Sequence, residues 1–393
     1  MTVTTAIYEN WRNIASARVE FSPGINVLWG MNAQGKSNIL EGIYFFARGR
    51  SFRGAREKEL VRFGSEFART SLSFRRDGYE NDTALEAVLP LSGRKRLTRN
   101  GAPLSSAAEM VGNFRAVLFT PSNLSVVSGG PGERRAFLDI ALSQISGDYL
   151  LWLRRWTKLL AERNALIRRA GEGESVSAEE WAVYAEGLAE CGAWIACYRA
   201  DYVSLLAGAV GRYFAGMTGG AEIPGLEYRS HALEEAPGSL PLPKPLTDPR
   251  SLTSAPPDPG PLKVRLTAYR DREIAAGSTL WGIHKDDVLL SLNGREARTY
   301  ASQGQQRSLV LSMKLGEAEI AKTVGGEYPV ILLDDVFSEL DENRRRFILD
   351  ALAREDAAPR QIIVTSCEPD IIPGARAEHV NFRHVEGGKV SES

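Results

Sequence analysis

The segment from Gly30 to Ser37 carries residues suited to holding the phosphates of a nucleotide. It reads Gly30-Met31-Asn32-Ala33-Gln34-Gly35-Lys36-Ser37 and matches the pattern of a phosphate-binding loop. Its glycines let backbone N–H groups approach the phosphates, Lys36 can reach the β- and γ-phosphates, and the Ser37 hydroxyl can coordinate Mg²⁺. These residues predict a site for ATP and Mg²⁺. A glycine-rich turn without a ligand is the less favoured alternative.

A second segment, Ile331-Leu332-Leu333-Asp334-Asp335, is an apolar run that ends in two acids. A buried strand of this kind places Asp334 beside Ser37, where the carboxylate can hold the magnesium ion directly or through water. Asp335 is then the candidate base that orients the attacking water. Lys36, Asp334 and Asp335 are therefore the predicted catalytic residues. Taken alone, Asp335 could also be a solvated acid at the end of a strand.

Periodic patterns predict the elements that position these motifs. The phosphate loop lies between the strand-like Ile25–Trp29 and the helix-like Asn38–Ala47. Strand-like alternation also occurs in the amino-terminal part at Val3–Tyr8, Ala17–Phe21, Phe67–Arg75 and Thr83–Pro90. Towards the carboxyl end the order is a helix over Gln305–Thr323, a strand over Val330–Leu333, a helix over Asn343–Ala353 and a strand over Gln361–Thr365. This order predicts a parallel sheet covered by helices.

The middle of the chain has a different pattern, with apolar residues at helical spacing. Two such stretches, from Gly132 to about Ala170 and from Ser177 to about Phe214, are joined by a glycine- and glutamate-rich segment and predict a short antiparallel helical arm. The first stretch carries basic residues that we interpret as its solvated face: Arg154, Arg155, Lys158, Arg163, Arg168 and Arg169. Residues 236–261 are rich in proline and predict an extended connector.

Composition excludes several classes of protein. The 393 residues include 48 basic and 49 acidic side chains, so that the net charge of −1 gives no global attraction for nucleic acid. Three cysteines without a Cys-x-x-Cys pair suggest neither a disulfide framework nor a zinc site and favour a reducing cytosol. The amino terminus lacks a secretory pattern, and no run of about 18 apolar residues occurs. We therefore expect a cytoplasmic protein without a membrane segment.

A third motif, Tyr300-Ala301-Ser302-Gln303-Gly304-Gln305-Gln306-Arg307, opens a predicted helix upstream of the acidic strand. With the phosphate loop and the two acids, in this order and spacing, it resembles the ABC-type ATPase head of SMC-like proteins. The resemblance implies that Ser302, Gly304 and Gln305 bind the γ-phosphate of ATP on an opposite subunit, and hence an ATP-dependent homodimer. A helix start can bind an anion in this way, although Ser302 alone would be an ordinary helix cap.

Further segments are similar to the RecF family of DNA repair proteins, and this similarity spans nearly the whole chain. They are Tyr8-Glu9-Asn10-Trp11-Arg12-Asn13, the extended loop up to Glu41, Arg48-Gly49-Arg50-Ser51-Phe52-Arg53, Pro131-Gly132-Glu133-Arg134-Arg135-Ala136-Phe137-Leu138-Asp139, Gly282-Ile283-His284-Lys285-Asp286-Asp287, and the acidic strand continued to Asp341. Only about 140 residues separate Pro131 from Arg272, too few for the long coiled coils of SMC proteins.

The resemblance implies a function and further site residues. It implies a weak, DNA-stimulated ATPase that closes as a clamp on duplex DNA or at single-strand/double-strand junctions, hydrolyses ATP slowly for release, and helps the RecO and RecR mediators to load recombinase at gaps. Arg12 and Asn13 would touch the nucleotide, and Thr365 or Ser366 would make a weak γ-phosphate contact. The DNA-binding candidates are Arg48, Arg50, Arg53, Arg56 and Lys58. From sequence alone, a solvated charged loop is the more favoured interpretation of this last set.

The expected fold class is α/β: an ABC-type ATPase head with a mixed or parallel sheet, plus a mainly helical second lobe with the short arm. The expected domains are residues 1–120 as the amino-terminal half of the head, 121–275 as the helical lobe with its connector, and 276–393 as the carboxy-terminal half. An ATP-binding subunit of a membrane transporter shares all three nucleotide motifs and is the main alternative function. Another SMC-like ATPase, such as a nuclease regulator, is the other.

Overall fold

The computed structural model describes residues 1–230, 258–353, 360–368 and 380–392. The chain divides into two compact units, one formed by Met1–Asn123 with Lys314–Ser393 and the other by Leu124–Met313. The predicted connector at 236–261 lies outside the described residues, except for its last four positions, which lead into a helix.

In chain order, the helices and strands fall into three groups. Up to residue 123 they are β1 Thr2–Trp11, β2 Ile14–Glu20, β3 Ile25–Trp29, α1 Lys36–Arg48, β4 Phe67–Arg75, β5 Thr83–Pro90, β6 Arg96–Arg99, β7 Ala102–Leu104, α2 Ala107–Met110 and β8 Ala116–Phe119. The second group is α3 Ser125–Ser128, α4 Pro131–Ile145, α5 Gly147–Gly171, α6 Ala178–Thr218, β9 Pro224–Arg229, α7 Gly260–Ala268, α8 Arg270–Ala276, β10 Asp287–Leu292, β11 Arg295–Glu296, α9 Ala297–Tyr300 and α10 Gln303–Gly325. The last group is β12 Val330–Asp334, α11 Glu342–Ala353, β13 Ile362–Ser366, β14 Val380–Glu386 and β15 Lys389–Glu392.

The first unit contains the predicted parallel sheet, with strand order β15-β14-β3-β13-β12-β8. Strands β14, β3, β13, β12 and β8 run parallel, and only β15 is antiparallel to its neighbour. All five residues of β12 and all five of β13 are buried, as expected of central parallel strands. The carboxyl ends of β3, β12 and β13 therefore lie side by side at one edge, which is where open α/β sheets bind ligands.

A second sheet of this unit is antiparallel, in the order β2-β1-β4-β5-β6-β7. Helix α1 contacts β1 and β4 of this sheet and also β8, β12 and β13 of the parallel sheet. One close contact explains a glycine in the helix, because a Cβ on Gly42 would lie 2.3 Å from Cε1 of Tyr8 in β1. The helix that follows the phosphate loop is thus fixed between two sheets.

The second unit contains the predicted helical arm. Helices α5 and α6 pack against each other, with Trp152 stacked on Trp194 at 5.8 Å and Arg155 Nη1 at 2.9 Å from Glu190 Oε2. The first predicted stretch is divided into α4 and α5 at Ser146, whose hydroxyl caps α5 by accepting a bond from the Tyr149 N–H at 3.1 Å. The two tryptophans therefore contribute to the packing of α5 against α6.

One basic residue of the arm contradicts the predicted solvated face. Arg163 is fully buried, and its Nη2 lies 2.6 Å from Oε2 of Glu273, which is also fully buried. Its guanidinium also donates to the Thr279 hydroxyl at 3.0 Å and to the Leu266 carbonyl at 2.9 Å. The interpretation of Arg163 as solvated was wrong because α7 and α8 cover that side of α5, which the local pattern does not record.

The expected domain boundary at residue 276 has no counterpart in the two compact units. Residues 276–313 belong to the second unit, because β10 pairs over its whole length with β9 and β11 completes a three-stranded sheet. The local sequence pattern does not predict strand β9. Among the described residues, no helix is long and apolar enough to cross a membrane. All three cysteines are free.

Candidate nucleotide-binding site

The phosphate loop joins β3 to α1, and its two glycines occupy positions that exclude a side chain. Gly30 has a φ of +149°, and a Cβ there would lie 2.3 Å from the Val385 carbonyl oxygen on β14. Gly35 has a φ of +113°, and its Cβ would lie 2.9 Å from Oδ1 of Asn13. Positive φ and close backbone approach both require glycine, so these two positions fix the path of the loop.

Lys36 is 7 % exposed, and its ammonium group lies within the loop. Nζ donates to the carbonyl oxygens of Gly30 at 2.5 Å and Met31 at 2.8 Å. Since an ammonium group has three donors, one remains for a further acceptor. The N-terminus of α1 adds the positive end of a helix dipole at the same place. The loop can therefore bind an anion with several phosphate oxygens.

A cleft of about 340 Å³ lies in front of the loop. It is lined by Asn13, Asn32, Ala33, Gln34, Gly35, Lys36, Ser37, Asn38, Arg53, Asp335 and Thr365. The structure therefore brings together most of the predicted nucleotide-site residues from four separate stretches of the first unit. Gly30, Met31, Arg12 and Asp334 are not among the lining residues. Arg53 and Asn38 were not predicted to line a nucleotide site.

The two acids end β12 and are joined through Thr365 of the neighbouring strand. Thr365 Oγ1 donates to Asp334 Oδ1 at 2.9 Å and accepts a bond from the Asp335 backbone N–H at 3.0 Å. A hydroxyl has one proton, and here that proton is directed to Asp334. Asp335 has a φ of +53°, a left-handed conformation that is uncommon for a residue other than glycine. Thr365 therefore fixes the carboxylate of Asp334 and the backbone of Asp335, and it also lines the cleft.

The residues of this edge fit a magnesium ion bound together with phosphates. The Ser37 hydroxyl and the carboxylates of Asp334 and Asp335 are oxygen donors, which Mg²⁺ prefers. No group of three or more His, Cys, Asp or Glu residues that could hold a metal was found among the described residues. A site with few protein ligands suits Mg²⁺, which usually takes the rest of its ligands from substrate phosphates and water.

Arg12 is not among the residues that line the cleft, and its guanidinium is bound to a carboxylate. Its Nε and Nη2 bind the two carboxylate oxygens of Glu41 at 2.8 Å each, and Glu41 is fully buried in α1. The hydrogen bond with Glu41 raises the pKa of Arg12. The neighbouring Asn13 accepts a bond from Asn38 Nδ2 at 2.8 Å and lines the cleft. Arg12 thus fixes the strand end that presents Asn13.

The basic set after the phosphate-loop helix is not uniform. Arg48 is the last residue of α1 and half-buried, and this burial lowers its pKa. Arg53 lines the cleft and donates to Asn38 Oδ1 at 2.8 Å. Arg50, Arg56 and Lys58 are exposed. The charge pattern alone could not separate these environments, because it does not reveal which way each side chain turns.

The third motif lies in the second unit and begins α10. The Ser302 N–H donates to Gln305 Oε1 at 2.6 Å, and the Gln305 N–H donates to the Ser302 hydroxyl at 3.3 Å. This reciprocal pair is a capping box. Gln306 holds the preceding turn by donating to the Ala301 carbonyl at 3.2 Å. Ser302 is exposed at the start of a 23-residue helix, in a position where an anion can approach.

Comparison with known proteins identifies the family. A family model described as the RecF/RecN/SMC N-terminal domain matches residues 2–391. The DNA replication and repair protein RecF of Roseiflexus castenholzii is 37 % identical over 392 residues, covering 94 % of each chain. The chain belongs to the RecF family. A second relative, the RecF protein of Symbiobacterium thermophilum, is 38 % identical and covers 97 % of this chain and 95 % of its own.

Solved structures agree with this assignment. A structure described as the recombination mediator protein RecF with ATP in the RecFOR pathway is 31 % identical, with a TM-score of 0.86 over 100 % of this chain and 97 % of the other. An SMC head bound to the C-terminal winged-helix domain of ScpA is 14 % identical with a TM-score of 0.54, and shares the fold. The RecF-family chain therefore has the predicted ABC-type ATPase head fold. Neither comparison favours the transporter alternative.

Two RecF-like segments outside the nucleotide motifs bind each other within the second unit. Arg134 on α4 donates to both carboxylate oxygens of Asp287 at 2.7 and 2.9 Å, and Arg135 donates to the Asp286 carbonyl at 2.7 Å. Arg199 on α6 donates to Asp139 at 2.7 Å. These paired charges explain, in structural terms, why basic and acidic residues occur in both segments.

Proposed function

We propose that this RecF-family chain is an ATP-dependent DNA clamp of recombinational repair and replication. The observation that carries the proposal is the cleft in which Lys36 and Ser37 meet Asp335 and Thr365 at one edge of a parallel sheet, in a chain that matches RecF proteins over nearly its whole length. The relatives are named DNA replication and repair proteins, which supports a role in these two processes.

The residues of the cleft have distinct roles in this proposal. Backbone N–H groups from Asn32 to Ser37 and the Lys36 ammonium hold the β- and γ-phosphates of ATP. Ser37 and Asp334 hold Mg²⁺, which when bound supplies positive charge to the phosphoryl group that is transferred. Asp335 accepts a proton from the attacking water and orients it. Many ABC-type heads carry glutamate at the position of Asp335, and the shorter side chain of aspartate favours slow hydrolysis. We propose a weak ATPase that DNA stimulates.

Closure requires a second copy of the chain. Ser302 is exposed at the start of α10 and is followed by the half-buried Gly304 and Gln305. The Ser302 hydroxyl and the positive end of the helix dipole suit the γ-phosphate of ATP bound to a partner. Each head would then supply the missing side of the other's site. ATP binding would hold the dimer together, and hydrolysis would open it.

The proposed cargo is duplex DNA, or its junction with single-stranded DNA. Exposed cations at Arg50, Arg56 and Lys58 can neutralise phosphates without help from the net charge of the whole protein. The RecFOR pathway named for the solved relative supports cooperation with the RecO and RecR mediators. In that role the clamp would mark the gap at which recombinase is loaded.

Nitrocellulose filter binding tests the clamp. Wild-type protein should retain labelled duplex DNA with ATP but not without it, and Lys36→Met should abolish the ATP-dependent part. Lys389→Met removes the same charge from the exposed start of β15 and should leave retention unchanged. Equal retention by wild type and Lys36→Met, with or without ATP, would refute an ATP-dependent clamp.

Sedimentation with ATP tests the role of Ser302 in the partner's site. Ser302→Arg should still bind ATP in its own cleft. It should remain monomeric, because the larger side chain occupies the space that the γ-phosphate of the partner's ATP would need. The matched control is Ser177→Arg, which removes a comparable cap at the start of α6, where Ser177 accepts a bond from the Glu180 N–H at 3.2 Å. If Ser302→Arg forms ATP-dependent dimers as well as this control does, the assignment of Ser302 to the partner's site is wrong.

A further inference from the structure

An aromatic side chain projects into solvent from the basic side of the first unit. Phe63 is the most exposed of the large hydrophobic residues among the described part of the chain, at 102 % relative exposure. It lies in a tight turn that the Ser65 N–H closes on the Arg62 carbonyl at 3.0 Å, with Gly64 at a φ of +83°. Positive φ at the third position of a turn favours glycine, so the turn is well defined and holds Phe63 at its corner.

The turn is anchored to the strand that leads to the nucleotide cleft. The Arg62 N–H donates to the Asn10 carbonyl at 2.8 Å, and the Arg12 N–H donates to the Leu60 carbonyl at 2.8 Å. Between these bonds Trp11 and Val61 form an antiparallel bridge. A rigid backbone presents the phenyl ring with little entropy left to lose on binding. Exposure of this ring is therefore a fixed feature of the surface.

The charges around Phe63 favour a nucleic acid over a protein as its ligand. Four exposed cations of the same stretch have no ion-pair partner within 4.0 Å among the described residues: Arg50, Arg56, Lys58 and Arg62. Of the three acids of residues 50–66, Glu57 pairs with Lys95 and Glu59 accepts the Arg56 N–H at 2.9 Å, whereas Glu66 is exposed. The exposed cations therefore outnumber the acids of this stretch. An exposed flat ring in a stretch that also carries these cations suits a base face flanked by phosphates.

We propose that Phe63 stacks on an unpaired or terminal base of DNA whose phosphates are held by the neighbouring cations. The bases of an intact duplex are stacked on each other, so the ring finds a free base face only where a duplex ends or becomes single-stranded. Phe63 thereby gives the clamp a preference for single-strand/double-strand junctions over continuous duplex. The inference rests on the proposed DNA-binding function and adds the residue that distinguishes the two kinds of DNA.

Fluorescence anisotropy with ATP tests the preference on two DNAs, a covalently closed circular duplex, which has no ends, and a linear duplex with a single-stranded overhang. Phe63→Ala should weaken junction binding roughly 5- to 150-fold, the loss expected of one base–aromatic stack, and leave binding to the closed circular duplex unchanged. Phe63→Trp should retain the preference, whereas Phe63→Leu should lose it, because leucine is apolar but has no flat face. With 2-aminopurine as the first unpaired base, wild type and Phe63→Trp should quench its fluorescence.

Tyr79→Ala is the matched control, because Tyr79 is an exposed aromatic of the same unit beyond the other end of β4. The nine residues of that strand span about 27 Å, and the two aromatic residues lie beyond its opposite ends. Junction binding should be unaffected by this change. The stacking proposal fails if Phe63→Ala keeps wild-type affinity for the junction, if it weakens both DNAs equally, or if Phe63→Leu retains the preference. If wild type binds neither DNA with ATP, the proposed clamp function fails as well.

Discussion

Replacing Thr365 by valine tests how the two acids at the end of β12 are held. Thr365 Oγ1 donates to Asp334 at 2.9 Å and accepts the Asp335 N–H at 3.0 Å, so valine, which has the same branched shape, removes both bonds. A hydrogen bond to a charged group contributes about 1.5–3 kcal/mol, and removing the acceptor leaves the Asp335 N–H unpaired. Asp335 is also in a left-handed conformation at a φ of +53°. Loss of its anchor should therefore misplace the candidate base.

At 1.36 kcal/mol per tenfold change in rate, the lost bond corresponds to about a 10- to 150-fold decrease in kcat. The affinity for ATP should change little, because the phosphate loop is untouched. Single-turnover phosphate release gives the rate, and equilibrium binding of a fluorescent ATP analogue gives the affinity. Thr365→Ser should keep most activity, since it retains the hydroxyl. The control is Thr157→Val, the same substitution in α5 of the second unit, where the lost hydroxyl donates to the Leu153 carbonyl at 2.7 Å.

A normal rate in Thr365→Val would refute this positioning role. So would a defect confined to ATP affinity, which would instead place the Thr365 hydroxyl on the γ-phosphate, as the family resemblance implies. Recovery in Thr365→Ser separates the two bonds from a general packing defect.

Two further predictions concern stability and are measured by denaturant unfolding. Arg163→Met should lower the free energy of unfolding by about 3–5 kcal/mol, because it leaves the carboxylate of Glu273 buried without its partner. Adding Glu273→Leu should recover most of this loss. Strictly additive losses from the two substitutions would contradict the pairing. Burial lowers the pKa of His284 from 6.5 to about 4, so the unfolded chain binds a proton more readily between these values and stability must fall as the pH drops from 6.5 towards 4. His284→Gln should reduce the loss between pH 7 and pH 5 by about 2 kcal/mol, whereas an unchanged pH dependence would show that His284 does not titrate in this way.

Much of the first unit could be predicted from sequence, because its signals are local. The strands Ile25–Trp29, Phe67–Arg75 and Thr83–Pro90 have the predicted bounds. Their alternation is strong, and a phosphate loop requires a strand before it and a helix after it. Parallel pairing of β3, β13 and β12 follows from the short apolar runs that end at the motifs.

The missed features depend on contacts between distant parts of the chain. Strand β9 is short and pairs with β10 about 60 residues later, and no local pattern records that pairing. Arg163 has the same sequence environment as its solvated neighbours, yet α7 and α8 cover it. Arg53 stands in a basic loop but turns to the cleft, where it bonds to Asn38. The direction of a side chain and its burial by elements distant in the sequence are properties of the folded chain. The periodicity of apolar residues does not predict them.

One buried carboxylate contacts both the segment that leads to the nucleotide cleft and the basic stretch after α1. Glu41 is fully buried on α1, just after the phosphate loop, and binds Arg12 and the Ser51 hydroxyl, with Arg53 Nη1 at 4.0 Å. Arg12 leads directly to Asn13 in the cleft, while Ser51 lies inside the basic stretch. Because a buried charge that loses its partners is costly, these contacts stabilise the positions of both segments against α1. Glu41 therefore fixes the strand end that carries Asn13 and the basic stretch that carries Ser51 to the same helix.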